Sequence, residues 1–200
     1  MATDDKRERI LAAATAVFAE RDFHRVQVSE VAQRAGVGKG TLYLYFPTKD
    51  ALREGALRTS LERLADEVEQ EAAADVAGHV ALRAIVLSIL RFFWKRQELL
   101  TVVQRYEMGR GRAASDRRHR VVRAIEAVLV RQGYGTGGAT LHLSAAFLTG
   151  MARAAILNHS PADRPETTAA RIVTLYLHGL EGERRGTRRP PARRSQRGAA

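Results

Sequence analysis

The chain reads as all-α, with a small N-terminal domain of three helices followed by a larger helical domain. Three observations predict this. Apolar residues recur at three- and four-residue spacings along most of the 200 residues, and no stretch shows the clean period-two alternation of a strand. No proline stands between Pro47 and Pro161. A glycine-containing break at Gly36 separates two short apolar-faced segments within Val26 to Leu52, which is the pattern of a helix-turn-helix.

Ile10, Ala14, Val17 and Phe18 follow the spacing of one helical face, so Asp4 to about Glu20 forms an amphipathic helix able to pack across the next two. Arg21 to His24 connect it onward, with Phe23 tucked under the first helix. In the second helix Val28, Val31 and Ala32 share a face. Gln27 stands where Ser, Thr, Asp or Asn would be preferred, so Ser29 offers an alternative cap two residues later. Beyond Gly36, Leu42 and Phe46 stand four apart and belong to the core. Lys39, Thr41, Tyr43, Leu44 and Tyr45 fall off that buried face and are free to meet a duplex. The competing reading of the two tyrosines is ordinary packing within the domain.

Thr48, directly after Pro47 and with Asp50 in the first turn, announces a fourth helix. Leu57, Leu61, Leu64 and Val68 line one side of it, and it is long enough to leave the first domain and enter the second. Further helices are marked by Leu82, Ile85, Val86, Ile89, Leu90 and Phe93; by Leu99, Val102, Val103 and Tyr106; and by Val121, Val122, Ile125, Val128 and Leu129. Two more segments, Ala139 to about Leu157 and Thr167 to about Leu180, complete the domain. Ser144 to Ile156 mixes small residues with Phe147, Leu148 and Met151 over most of its circumference, and with the following helix it suits a four-helix interface between two copies about a twofold axis. The alternative is an internal core helix. The domain limits so read are 1–47, 48–182 and 183–200, the last a disordered basic tail.

A composition 45% hydrophobic and 28% charged is that of a soluble globular chain, and a formal charge of +11 favours acidic partners. The seven arginines and single acid from Glu183 onward hold +6 of that charge, so the body is only mildly basic. The tail adds either nothing or a non-specific attraction to phosphate. Without cysteine, disulfide and thiolate chemistry are excluded, and a cytoplasmic location is expected. The first ten residues carry no early apolar run of a secretory signal. Ala81 to Phe93 is interrupted by Arg83 and Arg91, so no membrane span and no membrane partner are expected.

Val31-Ala32-Gln33-Arg34-Ala35-Gly36-Val37-Gly38-Lys39-Gly40-Thr41-Leu42-Tyr43-Leu44-Tyr45-Phe46, with Lys49 and Leu52 behind, resembles the DNA-binding signature of TetR-family transcriptional regulators. The resemblance covers about the first quarter of the chain. It implies a nine- or ten-helix homodimer with a helix-turn-helix DNA-binding domain and a C-terminal ligand-binding and dimerisation domain. It implies that double-stranded operator DNA meets Lys39, Gly40, Thr41, Tyr43, Leu44 and Tyr45, with Lys49 on a phosphate; Ser29 joins this set. Gly40 lets the backbone approach closely, Thr41 suits a base edge or a thymine methyl, and Leu44 makes apolar contact only. Two departures from the pattern stand out. Gln27 replaces the usual capping Thr, and Asp22 lies where a glycine commonly closes the first helix.

The larger domain offers apolar surface for a small-molecule effector, with Leu61, Leu64, Phe92, Phe93, Tyr106, Phe147 and Met151 as candidate lining and Arg91, Arg105 and Glu107 as polar contacts. A fatty acyl thioester and a planar aromatic both suit it. No cofactor or metal is expected, since the six histidines never stand four apart. Gly133, Gly135 and Gly138 spell a dinucleotide fingerprint but follow a helix instead of a strand, so they read as a connection. No strained nucleophile motif appears, and no enzyme activity is expected. The rival to a ligand-responsive repressor is a helical small-molecule-binding or enzymatic module that does not act on DNA.

Overall fold

The structure is a computed structural model that describes residues 2–20, 23–97, 99–100, 103, 111–134 and 138–187. Among these, every regular element is helical: α1 Ala2–Glu20, a 3-10 turn Phe23–Arg25, α2 Val28–Arg34, α3 Lys39–Tyr45, α4 Lys49–Ala73, α5 Gly78–Phe93, α6 Gly111–Arg131, α7 Gly138–Asn158 and α8 Pro165–Thr187. The chain divides into two compact units, Met1–Glu67 and Val68–Ala200, so the division falls inside α4.

In the first unit α1 packs on α2 and α2 on α3. Ile10, Ala14 and Val17 from α1, Val28, Val31 and Ala32 from α2, and Leu42, Phe46 and Leu52 form one buried cluster. The apolar spacing thus selects the buried faces. Gly55 brings α4 against α1, where a Cβ would lie 2.9 Å from Leu11 Cδ2 and 3.0 Å from Phe46 Cε1. α4 starts where its sequence signal lies, the Thr48 hydroxyl accepting the Ala51 amide at 3.0 Å.

The second unit is built around α5, which packs against α6, α7 and α8. It carries Leu82, Ile85, Val86 and Leu90, all fully buried. The α6 helix closes at Gly133, φ 70°, with the Tyr134 amide reaching back to Leu129 and the Gly133 amide to Val130. That glycine therefore serves a helix C-terminus, where a left-handed residue is needed. His159, beyond α7, stacks on Trp94 with ring centroids 4.0 Å apart and bonds the Trp94 carbonyl at 3.0 Å.

Several expectations are amended. α2 begins at Val28 with Gln27 at its N-cap and no side-chain cap; Ser29 does not cap it, because its hydroxyl sits 3.4 Å from Gln27 Oε1. The α8 helix runs through Glu183, Arg184 and Arg185 to Thr187, five residues into the segment read as tail, since Glu and Arg propagate a helix well. Residues 188–200, Asp22, the Phe23 side chain and most of the short helix read at Leu99 to Tyr106 lie outside the described residues. One helix, Gly138–Asn158, does have the length and mean hydropathy, 1.3, of a bilayer span, although the sequence reading finds none. Small residues make it apolar all round, and Arg153 is its one Asp, Glu, Lys or Arg.

Candidate nucleic-acid interface

α3 offers two faces of opposite character. Leu42 is fully buried and Phe46 nearly so, fixing the helix to the core. On the other side Leu44 is 84% exposed and Tyr43 39% exposed. Leu44 is thus an apolar side chain left in solvent beside Tyr43. Lys39 and Gly40 are exposed and Thr41 half-buried. A Cβ at Gly40 would meet open space, so the glycine leaves room for an approaching molecule and is not required by the protein's own packing. Tyr45 is half-buried, with part of its surface packed against the core cluster, while Tyr43 faces outward.

The helix starts with Gly38 at its N-cap, extended at φ −69° and ψ 149° and without a side-chain cap, and Leu42 N–H donates to the Gly38 carbonyl at 3.0 Å. The first amides of a helix lack intrahelical acceptors and lie at the positive end of its dipole, which suits phosphate oxygens. Lys49 is half-buried, its Nζ donating to the His24 carbonyl at 3.5 Å, and Ser29 is exposed on α2. The turn that aims α3 is Gly36, φ 64°, closed by Val37 N–H to Ala32 C=O at 3.0 Å. Arg34 pairs with Glu20 at 2.8 Å, joining the ends of α2 and α1.

The described candidate effector residues fall in both units. Phe93 is buried and Phe92 half-buried, their rings edge to face with centroids 4.7 Å apart. Met151 is half-buried on α7. Leu64 is buried and Leu61 half-buried, both on the part of α4 that belongs to the first unit. Phe147, at 61% exposure, stands on the outward face of α7. Tyr106, Arg105 and Glu107 lie outside the described residues. Among the described residues no three His, Cys, Asp or Glu side chains form a group able to hold a metal.

A feature the spacing rules missed is an outward apolar line on α7. Leu143, Phe147, Gly150, Ala154 and Leu157 are all exposed, at alternating intervals of four and three, whereas Ala145, Leu148, Ala152 and Ile156 are buried on the opposite side. The intervals are visible in the sequence, but so are equally apolar alternatives on the other face.

Residues 10–56 match the model of bacterial regulatory proteins, tetR family. The HTH-type transcriptional repressor KstR of Mycolicibacterium smegmatis is 36% identical over 97 residues, 48% of this chain and 47% of that protein. The chain spans between about a third and a half of the length of such curated relatives. A transcriptional regulator of the TetR/AcrR family from Thermobifida fusca shares the fold with a TM-score of 0.68 at 19% identity, over 88% of this chain and 98% of that one. The Bacillus subtilis regulator FadR, solved in complex with stearoyl-CoA, does so with a TM-score of 0.56 at 18% identity, over 86% and 98%. Residues 10–56 of the N-terminal unit thus carry the signature of the tetR family of bacterial regulatory proteins.

Proposed function

We propose that this chain is a cytoplasmic, homodimeric repressor that reads operator DNA with α3 and is released by a small apolar effector. The single observation that carries the reading is the outward face of α3, where Leu44 and Tyr43 stand exposed next to an unobstructed Gly40. Two such helices, one from each copy, enter successive major grooves of a near-palindromic site about 34–36 Å apart. Lys39, Gly40, Thr41, Tyr43, Leu44 and Tyr45 contact the duplex, and Lys49 exchanges its carbonyl partner for a phosphate. Ser29 approaches the backbone from α2.

Dimerisation uses the outward line of α7 together with the exposed Leu175 of α8, a self-complementary apolar surface of the kind a twofold interface buries. The effector enters among the helices of the larger unit near Phe92, Phe93 and Met151. A fatty acyl thioester is the class favoured, because FadR of Bacillus subtilis has been solved with stearoyl-CoA. Such a ligand acts only through its different affinities for two dimer conformations, and DNA binding opposes it by the same coupling. The α4 helix, whose start lies in one unit and end in the other, is the link between them.

The test is an electrophoretic mobility shift on the DNA flanking the chain's own gene, in excess non-specific competitor. Retention of a discrete complex is expected, with Tyr43→Ala and Lys49→Ala both weakening it while sedimentation still gives a dimer. Absence of any preference for that DNA would sink the reading. Long-chain acyl-CoA added at about 100 times its Kd should stabilise the protein by about 2.7 kcal/mol in a thermal shift and release the complex.

A further inference from the structure

The turn between α2 and α3 is held by a residue that belongs to neither helix. α2 closes with the Val37 amide on the Ala32 carbonyl at 3.0 Å and the Gly36 amide on the Gln33 carbonyl at 3.1 Å, Gly36 being left-handed at φ 64°. The two carbonyls that follow are taken from outside. Arg9 Nη2 donates to Ala35 O at 2.7 Å and to Gly36 O at 3.3 Å, 26 and 27 residues away in the chain. The guanidinium lies so close over the turn that a Cβ on Gly36 would come within 2.7 Å of it. Asp5, one turn earlier on α1, stands 4.0 Å from Arg9 Nη1.

A guanidinium suits this place on two grounds. The C-terminal end of a helix carries partial negative charge on its orphan carbonyls, and a charged donor forms a stronger bond to them than a neutral one. Only Val37 and Gly38 separate Gly36 from the start of α3 at Lys39. The dihedral angles that Arg9 holds are therefore those that set the direction of α3. We propose that Arg9 is a positioning residue for DNA reading: it clamps the turn and so fixes how α3 presents Tyr43 and Leu44. This rests on the DNA-reading function proposed above. The competing role for an arginine that is about half exposed is a direct phosphate contact, and salt dependence separates the two.

The experiment uses a duplex selected by the wild-type chain from a random-sequence pool, with a scrambled duplex of equal length as reference. Wild type, Arg9→Gln and Arg9→Lys are titrated on both at several salt concentrations. Arg9→Gln should weaken the selected duplex about tenfold, from loss of charge-assisted bonds in the turn. It should leave the scrambled duplex within about twofold and keep the slope of log K against log salt. Arg9→Lys, which retains a charged donor, should recover part of the loss. Amide exchange in the free Arg9→Gln protein should quicken at Val37 and Leu42. An equal loss on both duplexes with the slope reduced by about one would make Arg9 a phosphate contact and overturn the proposal. Unchanged affinity, or unchanged exchange, overturns it as well. If the wild type selects no sequence, the DNA-reading function falls and the positioning role with it, while amide exchange still decides whether Arg9 holds the turn.

Discussion

Arg120 grips Glu69 through both carboxylate oxygens, Nε to Oε1 at 2.8 Å and Nη2 to Oε2 at 2.6 Å, across 51 residues of sequence. The pair joins α6 to the last turns of α4, and Arg131, three helical turns further along α6, donates to the Ala72 carbonyl near the same end. The hydrogen bond from Arg120 holds the Glu69 carboxyl below the usual carboxylate range, against the opposing effect of burial, with the Arg120 and Arg123 charges adding to it. A carboxylate with a depressed folded-state pKa contributes stability that is present above its unfolded value and lost as pH falls through the folded one. Glu69 is more than a third exposed, so the pair is screened, and its two-pronged geometry places it near the top of the surface range, about 0.5–1 kcal/mol. Glu69→Gln should lower stability by that amount in denaturant titrations at pH 7. The gap to wild type should close in acid, below about pH 4. A gap that persists undiminished in acid would show that the pair's charge is not what stabilises it.

Gly55 and Gly40 should respond in opposite ways to alanine. At Gly55 the added Cβ would meet Leu11 and Phe46 within about 3 Å, and both of those side chains are buried, so neither can step aside freely. Gly55→Ala should cost about 1–3 kcal/mol, read as a lower denaturation midpoint. At Gly40 the Cβ meets open space on a helix, so Gly40→Ala should stabilise the fold by up to about 1 kcal/mol. If the backbone of α3 approaches DNA there, the same change weakens the mobility shift while the protein melts higher. A Gly40→Ala variant that binds as well as wild type would remove Gly40 from the contact set.

The sequence makes some of this plain and hides the rest for identifiable reasons. Leu42 and Phe46 are assigned inward, and Tyr43 and Leu44 outward, because only one helical face of α3 is apolar enough to bury. Thr48 is legible as a cap because its hydroxyl acts three residues away. Phe147 is harder to place because α7 has small apolar residues on every side, so spacing cannot say which face is interior. Arg9 carries no local signal at all, since its role is made by carbonyls 26 and 27 residues distant. The helical reach of α8 to Thr187 is lost in a composition argument that weighs Arg, Pro, Gly and Ser together, although the prolines come only at Pro190 and Pro191.

The outward line of α7 gives the sharpest test of assembly. Leu143 at 55% and Phe147 at 61% exposure contribute little to the interior of their own unit, so a charge placed there should leave the fold intact. On an interface between two copies about a twofold axis, each substitution appears twice, near its own image, and buries like charges together. Phe147→Glu and Leu143→Glu should therefore convert a dimer to a monomer in light scattering, with helical circular dichroism unchanged. DNA affinity should fall with dimerisation, because one recognition helix alone loses the second half-site. The same helix has the length and hydropathy of a bilayer span, which supplies the contrary outcome. A wild-type protein that floats with phospholipid vesicles, and a Phe147→Glu protein that does not, would assign the line to lipid instead of to a second copy. A Phe147→Glu variant that remains dimeric and does not float would place the interface away from this face.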